Sequence, residues 1–202
     1  MKGYEEKVYA GILGKTIGVY MGRPIEGWRK ERIRERFPTI SGYLHEALGE
    51  PLVVSDDDIS GTTTFVRVLE DSGLYESTPE ELYGDNWLNY IVPDRTILWW
   101  GGMGVSTEHT AFLRLKAGYK APESGSASLN GAGVAGQIGA QIFIDCFGMV
   151  CPGEPDRAAS LAGRAGRVSH DIESVDAAKV VAAMVSIAFV ETDMTKILDG
   201  GI

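Results

Sequence analysis

After the apolar pair Val53 and Val54, the chain carries Ser55, Asp56, Asp57, Asp58, Ile59, Ser60, Gly61 and Thr62. Three adjacent carboxylates repel one another unless they are solvated, capped onto a helix start or held by a cation. As an N-cap loop they would complement the positive end of the following helix. As a site they offer the carboxylate and hydroxyl oxygens that Mg²⁺ or Mn²⁺ takes. The run does not continue as two Asp, two spacers and another Asp, because the fourth position after Asp56 is Ser60.

Two further segments carry polar chemistry. Val168, Ser169, His170, Asp171, Ile172 and Glu173 precede a long apolar stretch, so His170 reads either as a satisfied interior group or as a residue facing a site. The stretch from Ser124 to Gly133, with Ser126, Asn130 and Gly131, is a glycine- and serine-rich entry into a helix. Backbone N–H groups at such an entry can hold a phosphate, or the glycines can simply turn the chain. It is not a P-loop, since no Gly-Lys-Ser/Thr follows.

Helices must position these residues. Spacing predicts a helix over 4–20, ended by Gly22, Arg23 and Pro24, and a second over 62–74 that closes at Gly73. Ser77, Thr78, Pro79, Glu80 and Glu81 read as a helix start with a hydroxyl cap. Residues 109–117 read as helical and 121–133 as loop. Helices are then expected over 133–147, 155–167 and 174–190, the last deep in the core. Residues 94–104, with Trp99 and Trp100, read either as an aromatic loop or as a bend on the core. No strand-period alternation runs beyond a few residues, so the fold class is all-α, in a single domain over 1–202.

Composition narrows the function. The 202 residues hold 19 Lys+Arg against 28 Asp+Glu, a net charge of −9 that disfavours nucleic-acid binding. The basic run from Arg29 to Arg36 is interleaved with Glu and reads as a solvated helix face. No signal peptide or membrane span is evident, which points to the cytoplasm. Cys146 and Cys151 match no zinc or redox spacing and read as reduced core thiols.

Taken in order, several segments resemble the ADP-ribosylglycohydrolase family, the relatives of dinitrogenase reductase-activating glycohydrolase. They are the stretch from Ala10 to Gly27, the run Ser55, Asp56, Asp57 and Asp58, and the stretch from Ile138 to Asp145. Pro152 to Pro155, Ser169-His170-Asp171 and Val181 to Met184 follow in the same order. The resemblance implies an all-helical hydrolase with two Mg²⁺ or Mn²⁺ ions. Its substrate is the glycosidic bond joining ADP-ribose to a protein side chain or related acceptor. It implies metal ligands at Ser55, Asp56, Asp57 and Asp58, and catalytic roles for Glu26, Asp56 and Asp57. Ser126, Asn130, Gly131 and His170 would contact the ADP-ribose.

Such chemistry passes through an oxocarbenium-like transition state that needs leaving-group assistance and an activated water. The expected partner is an ADP-ribose-containing small molecule or an ADP-ribosylated protein. Two departures stand out: Val19 occupies a position where many members carry Asp, and the C-terminal Gly-x-Asp-Thr-Asp-like metal motif has only Thr192 and Asp193 as an echo. The chain therefore reads as the N-terminal portion of such a protein, with self-association through an uncovered apolar face. The alternative is a family-fold protein that binds a nucleotide-sugar without hydrolysing it. An aspartate-based phosphohydrolase ranks last, because such sites usually add several His ligands and the chain has only His45, His109 and His170.

Overall fold

In the computed structural model the residues described are 3–53, 55–73, 75–93, 95–96 and 101–202. Trp99 and Trp100 lie outside them, as does the choice between the two readings made for that segment. In chain order the helices are α1 (Tyr4–Gly22), α2 (Lys30–Arg36), α3 (His45–Leu48), α4 (Asp57–Phe65), α5 (Arg67–Ser72), α6 (Glu80–Tyr90) and α7 (Thr107–Lys116). They continue as α8 (Ala127–Asn130), α9 (Ala132–Ala135), α10 (Asp145–Met149), α11 (Pro155–Gly166), α12 (Ile172–Ala188) and α13 (Met194–Gly201). Among the described residues there is no strand, and the fold is all-α.

The centre is built by close approach of small residues. α11 buries Ala158, Leu161, Ala162 and Ala165 against α12, which buries Val175, Ala178 and Ala182. Gly148 of α10 sits against the Ala182 carbonyl, where a methyl group would come within 2.5 Å of that oxygen. Aromatic rings fill the wider gap to α4 and α6. Phe65 stacks on Trp87 with centroids 4.6 Å apart, and Phe143 meets Phe65 edge-on at 4.9 Å. Cys146 and Cys151 are both buried and unbridged. Among the described residues no helix is long and apolar enough to cross a membrane.

Three expectations are corrected. Residues 133–147 form short pieces, namely the end of α9, a 3-10 turn at Ile138–Gln141 and the start of α10. The break follows from tertiary pull on Gln137: its side chain accepts from Thr107 N and donates to Val105 O, while Ser174 Oγ donates to its carbonyl. The loop expected over 121–133 contains a 3-10 turn at Glu123–Gly125 and α8. The helix expected from residue 62 starts earlier, at Asp57. It is divided near Val66 into α4 and α5, and Gly73 closes α5 with φ 62°.

Two smaller differences concern helix starts. α6 has no hydroxyl cap, because Thr78 Oγ1 pairs with Ser72 Oγ at 3.1 Å instead. α13 was not foreseen; it starts at Asp193, whose Oδ1 accepts from Thr195 N and Lys196 N, so the Thr192-Asp193 echo serves as a helix cap.

Candidate active site

The acidic run sits at the N-terminus of α4. Asp56 is the N-cap, in extended conformation, and its Oδ1 accepts from Asp58 N at 3.1 Å. α4 is rich in poor helix formers, but Ser60 Oγ and Thr62 Oγ1 bond back to the Asp56 and Asp58 carbonyls at 2.9 and 2.7 Å. Gly61 lets this helix lie against Phe143, since a Cβ there would stand 3.0 Å from the Phe143 Cβ. The aspartates are thereby anchored to the aromatic core.

Capping and site formation are compatible. One oxygen from each of Asp56, Asp57 and Asp58 falls within 4.8 Å of the others. They line a cleft of about 400 Å³ together with Ser55, Arg23 and Glu26. The lining is completed by Glu108 from the first turn of α7, with Gln137, Ile138 and Gly139 from the 3-10 turn and Ile142 after it. An adjoining hollow brings Gly18, Val19 and Gly22 of α1 toward Asp56 and Asp58.

The electrostatics of the cluster are those of crowded acids. Burial pushes the Asp57 carboxyl up from its ordinary value, and the charges of Asp56 and Glu26 add to the rise. Burial and then the Asp56 charge raise Asp58 to about 7, against the pull of Lys15. The nearest cation on the cleft wall is Arg23, whose Nε lies 3.6 Å from Asp56 Oδ2. An all-oxygen cluster that holds excess negative charge and is partly withdrawn from water suits a hard divalent cation.

This geometry and the order of motifs agree with a comparison of the whole chain. The ADP-ribosylglycohydrolase family model matches residues 1–202. The chain belongs to the ADP-ribosylglycohydrolase family. No curated protein and no solved structure gives a significant match.

Of the residues that the family resemblance singled out, Glu26, Ser55, Asp56, Asp57 and Asp58 gather at the cleft. Ser126, Asn130, Gly131 and His170 are not among its lining residues. Ser126 caps α8, its Oγ accepting from Leu129 N at 3.3 Å. Asn130 donates to the Ser124 carbonyl at 2.7 Å and accepts from Arg114 Nε at 3.1 Å, so its side chain is spent on holding the loop. Gly131 takes φ 84° and ψ 146°, a conformation reserved for glycine, between α8 and α9.

The loop is latched to the His170 segment. Asp171 Oδ2 accepts from Ala127 N at 3.0 Å, and Asp171 N donates to the Ala135 carbonyl. His170 is 1% exposed and lies behind Gly139, with Nδ1 2.7 Å from Ser169 Oγ. Burial holds its imidazole neutral, with the pKa down to about 3.

Sequence reading passed over Glu108, Arg23, Gln137 and Gly139. Glu108 falls just ahead of the helix expected over 109–117, so nothing local marked it. Its significance comes from contact with residues remote in sequence.

Proposed function

We propose that this chain carries a metal-dependent hydrolase site that cleaves the glycosidic bond between ADP-ribose and a protein side chain or related acceptor. The observation that carries the reading is the convergence of Asp56, Asp57 and Asp58 oxygens within 4.8 Å in a cleft shared with Glu26, in a chain of this family. Asp56, Asp57, Asp58 and Ser55 would hold Mg²⁺ or Mn²⁺. A bound dication supplies positive charge against which sugar hydroxyls and water are oriented.

The chain's own residues do the rest. Glu26, which is exposed and lines the cleft, would take a proton from the attacking water. The loop carrying Ser126, Asn130 and Gly131, latched by Asp171, would contact the ADP-ribose part of the substrate, as in the family it resembles. The exposed stripe Tyr9, Leu13 and Ile17 on α1, which buries no side chain, supports self-association.

Release of free ADP-ribose from ADP-ribosylated peptides, with Mg²⁺ or Mn²⁺ and with EDTA, tests the reading. Metal-dependent release that is lost in Asp57→Asn supports it. Tight ADP-ribose binding without any release would identify a non-catalytic binder instead.

A further inference from the structure

The cleft that holds the aspartates is also lined by a carboxyl group in a different environment. Glu108 is 3% exposed yet borders the cleft. Ser106 Oγ stands 3.4 Å from its Oε2, and His170 Nε2 stands 3.5 Å from its Oε1. That imidazole nitrogen is buried and makes no hydrogen bond. When the Ser169 hydroxyl donates to Nδ1, the neutral ring carries its proton on Nε2, 3.5 Å from Glu108 Oε1. Gly139 closes over the pair: a Cβ there would overlap the Glu108 carboxylate and come within 3.0 Å of His170 Nε2. Three segments far apart in sequence thus meet to hold one acid at the cleft wall.

Resting on the hydrolase reading above, we propose that Glu108 is a further catalytic residue, the general acid that protonates the departing acceptor, and that His170 is its positioning residue. As the glycosidic bond breaks, its electron pair leaves with the acceptor atom, and that atom takes the Glu108 proton. The oxygen of water bonds to the anomeric carbon and gives one proton to Glu26. Solvent then returns a proton to Glu108 and removes one from Glu26. The Glu108 anion formed in the step is received by two donors, the Ser106 hydroxyl and the His170 N–H. Burial, with the charge of Asp57 adding to it and hydrogen bonds from its backbone and Ser106 opposing, raises Glu108 to about 7, so that it can give and regain a proton near neutral pH. Glu26, exposed, has the contrasting environment of a base. Two carboxyl groups held in different surroundings in one cleft divide the acid and base roles.

The test compares leaving groups. One substrate is an ADP-ribosylated peptide, whose acceptor must gain a proton. The other is ADP-ribosyl pyridinium of the same anomeric configuration, whose leaving group departs without one. Glu108→Gln should lower kcat on the peptide by about 100-fold or more, with KM within about threefold and the pyridinium rate within about fivefold. His170→Gln should show the same split at smaller size. Calorimetric ADP-ribose binding and the melting temperature of each variant report folding separately from chemistry. If Glu108→Gln does not fold, Glu108→Asp carries the comparison, with the same split expected.

Equal losses on both substrates, or no loss on either, would overturn the acid role and leave the hydrolase reading intact. A wild-type chain that binds ADP-ribose but cleaves neither substrate overturns both.

Discussion

Asp56 Oδ1 accepts a hydrogen bond from Asp58 N at 3.1 Å, while its Oδ2 lies 3.6 Å from Arg23 Nε. One carboxylate therefore both starts α4 and faces the cleft. A cap made this way fixes the backbone that carries Asp57 and Asp58, so helix initiation and cluster formation share one residue.

Separating these duties gives the first prediction. Asp56→Asn keeps the cap and should leave the melting temperature little changed. Asp56→Ala should lose about 1 kcal/mol of stability as well. Both should weaken Mn²⁺ binding at least about tenfold in calorimetry. Normal Mn²⁺ affinity in Asp56→Asn would remove Asp56 from the ligand set.

Raised carboxyl pKa values predict how stability moves with pH. Asp58 and Glu108 both sit near 7 in the folded chain, above ordinary values of 3.8 and 4.5. Between those values and about 7 these two acids bind more protons in the folded than in the unfolded state and so lower stability as pH rises. His170, held neutral by burial, acts in the opposite sense up to 6.5, one imidazole against two carboxyls. Metal-free chain should melt at a lower temperature at pH 7.5 than at pH 5, and Mg²⁺ should restore more at the higher pH. A flat profile in EDTA would contradict the crowding of these acids.

Gly139→Ala probes the closure over Glu108. The added methyl would overlap the carboxylate, so the 3-10 turn at Ile138–Gln141 must shift. A loss of about 1–3 kcal/mol by urea unfolding is expected, together with a fall in kcat. Wild-type stability would mean that the wall is not packed as described.

Asp171 links the loop to the core through Ala127 N and caps α12 by accepting from Ile172 N at 2.8 Å. Asp171→Ala should cost about 1 kcal/mol or somewhat more. It should also raise KM for the ADP-ribosyl substrate with kcat nearly unchanged, because the loop, not the reacting centre, is loosened. A selective loss of kcat would assign Asp171 a different role.

Much of the helical framework was legible because its signals are local. α11 opens on Pro155 and Asp156 and carries an apolar stripe, and the length and apolarity of α12 follow directly from its residues. The acidic run announced itself by composition, and α4 begins where an aspartate can cap. The stretch from Gly133 to Phe147 misled because Gly and Ala fit a tightly packed helix and a chain of short turns equally well. Contacts from Thr107, Val105 and Ser174 onto Gln137 decided between them.

By itself the sequence determined that the chain is helical and acidic and carries three adjacent aspartates ahead of a helix, since those properties reside in near neighbours. Only the tertiary structure decided that Glu108 lines the same cleft as Asp56, Asp57 and Asp58, that His170 lies behind Gly139, and that Asn130 is spent on its own loop. Burial and proximity set the protonation of an acid, and both depend on which remote segments fold against it. A glutamate in the first turn of a helix is unremarkable until a glycine and a histidine from elsewhere in the chain enclose it.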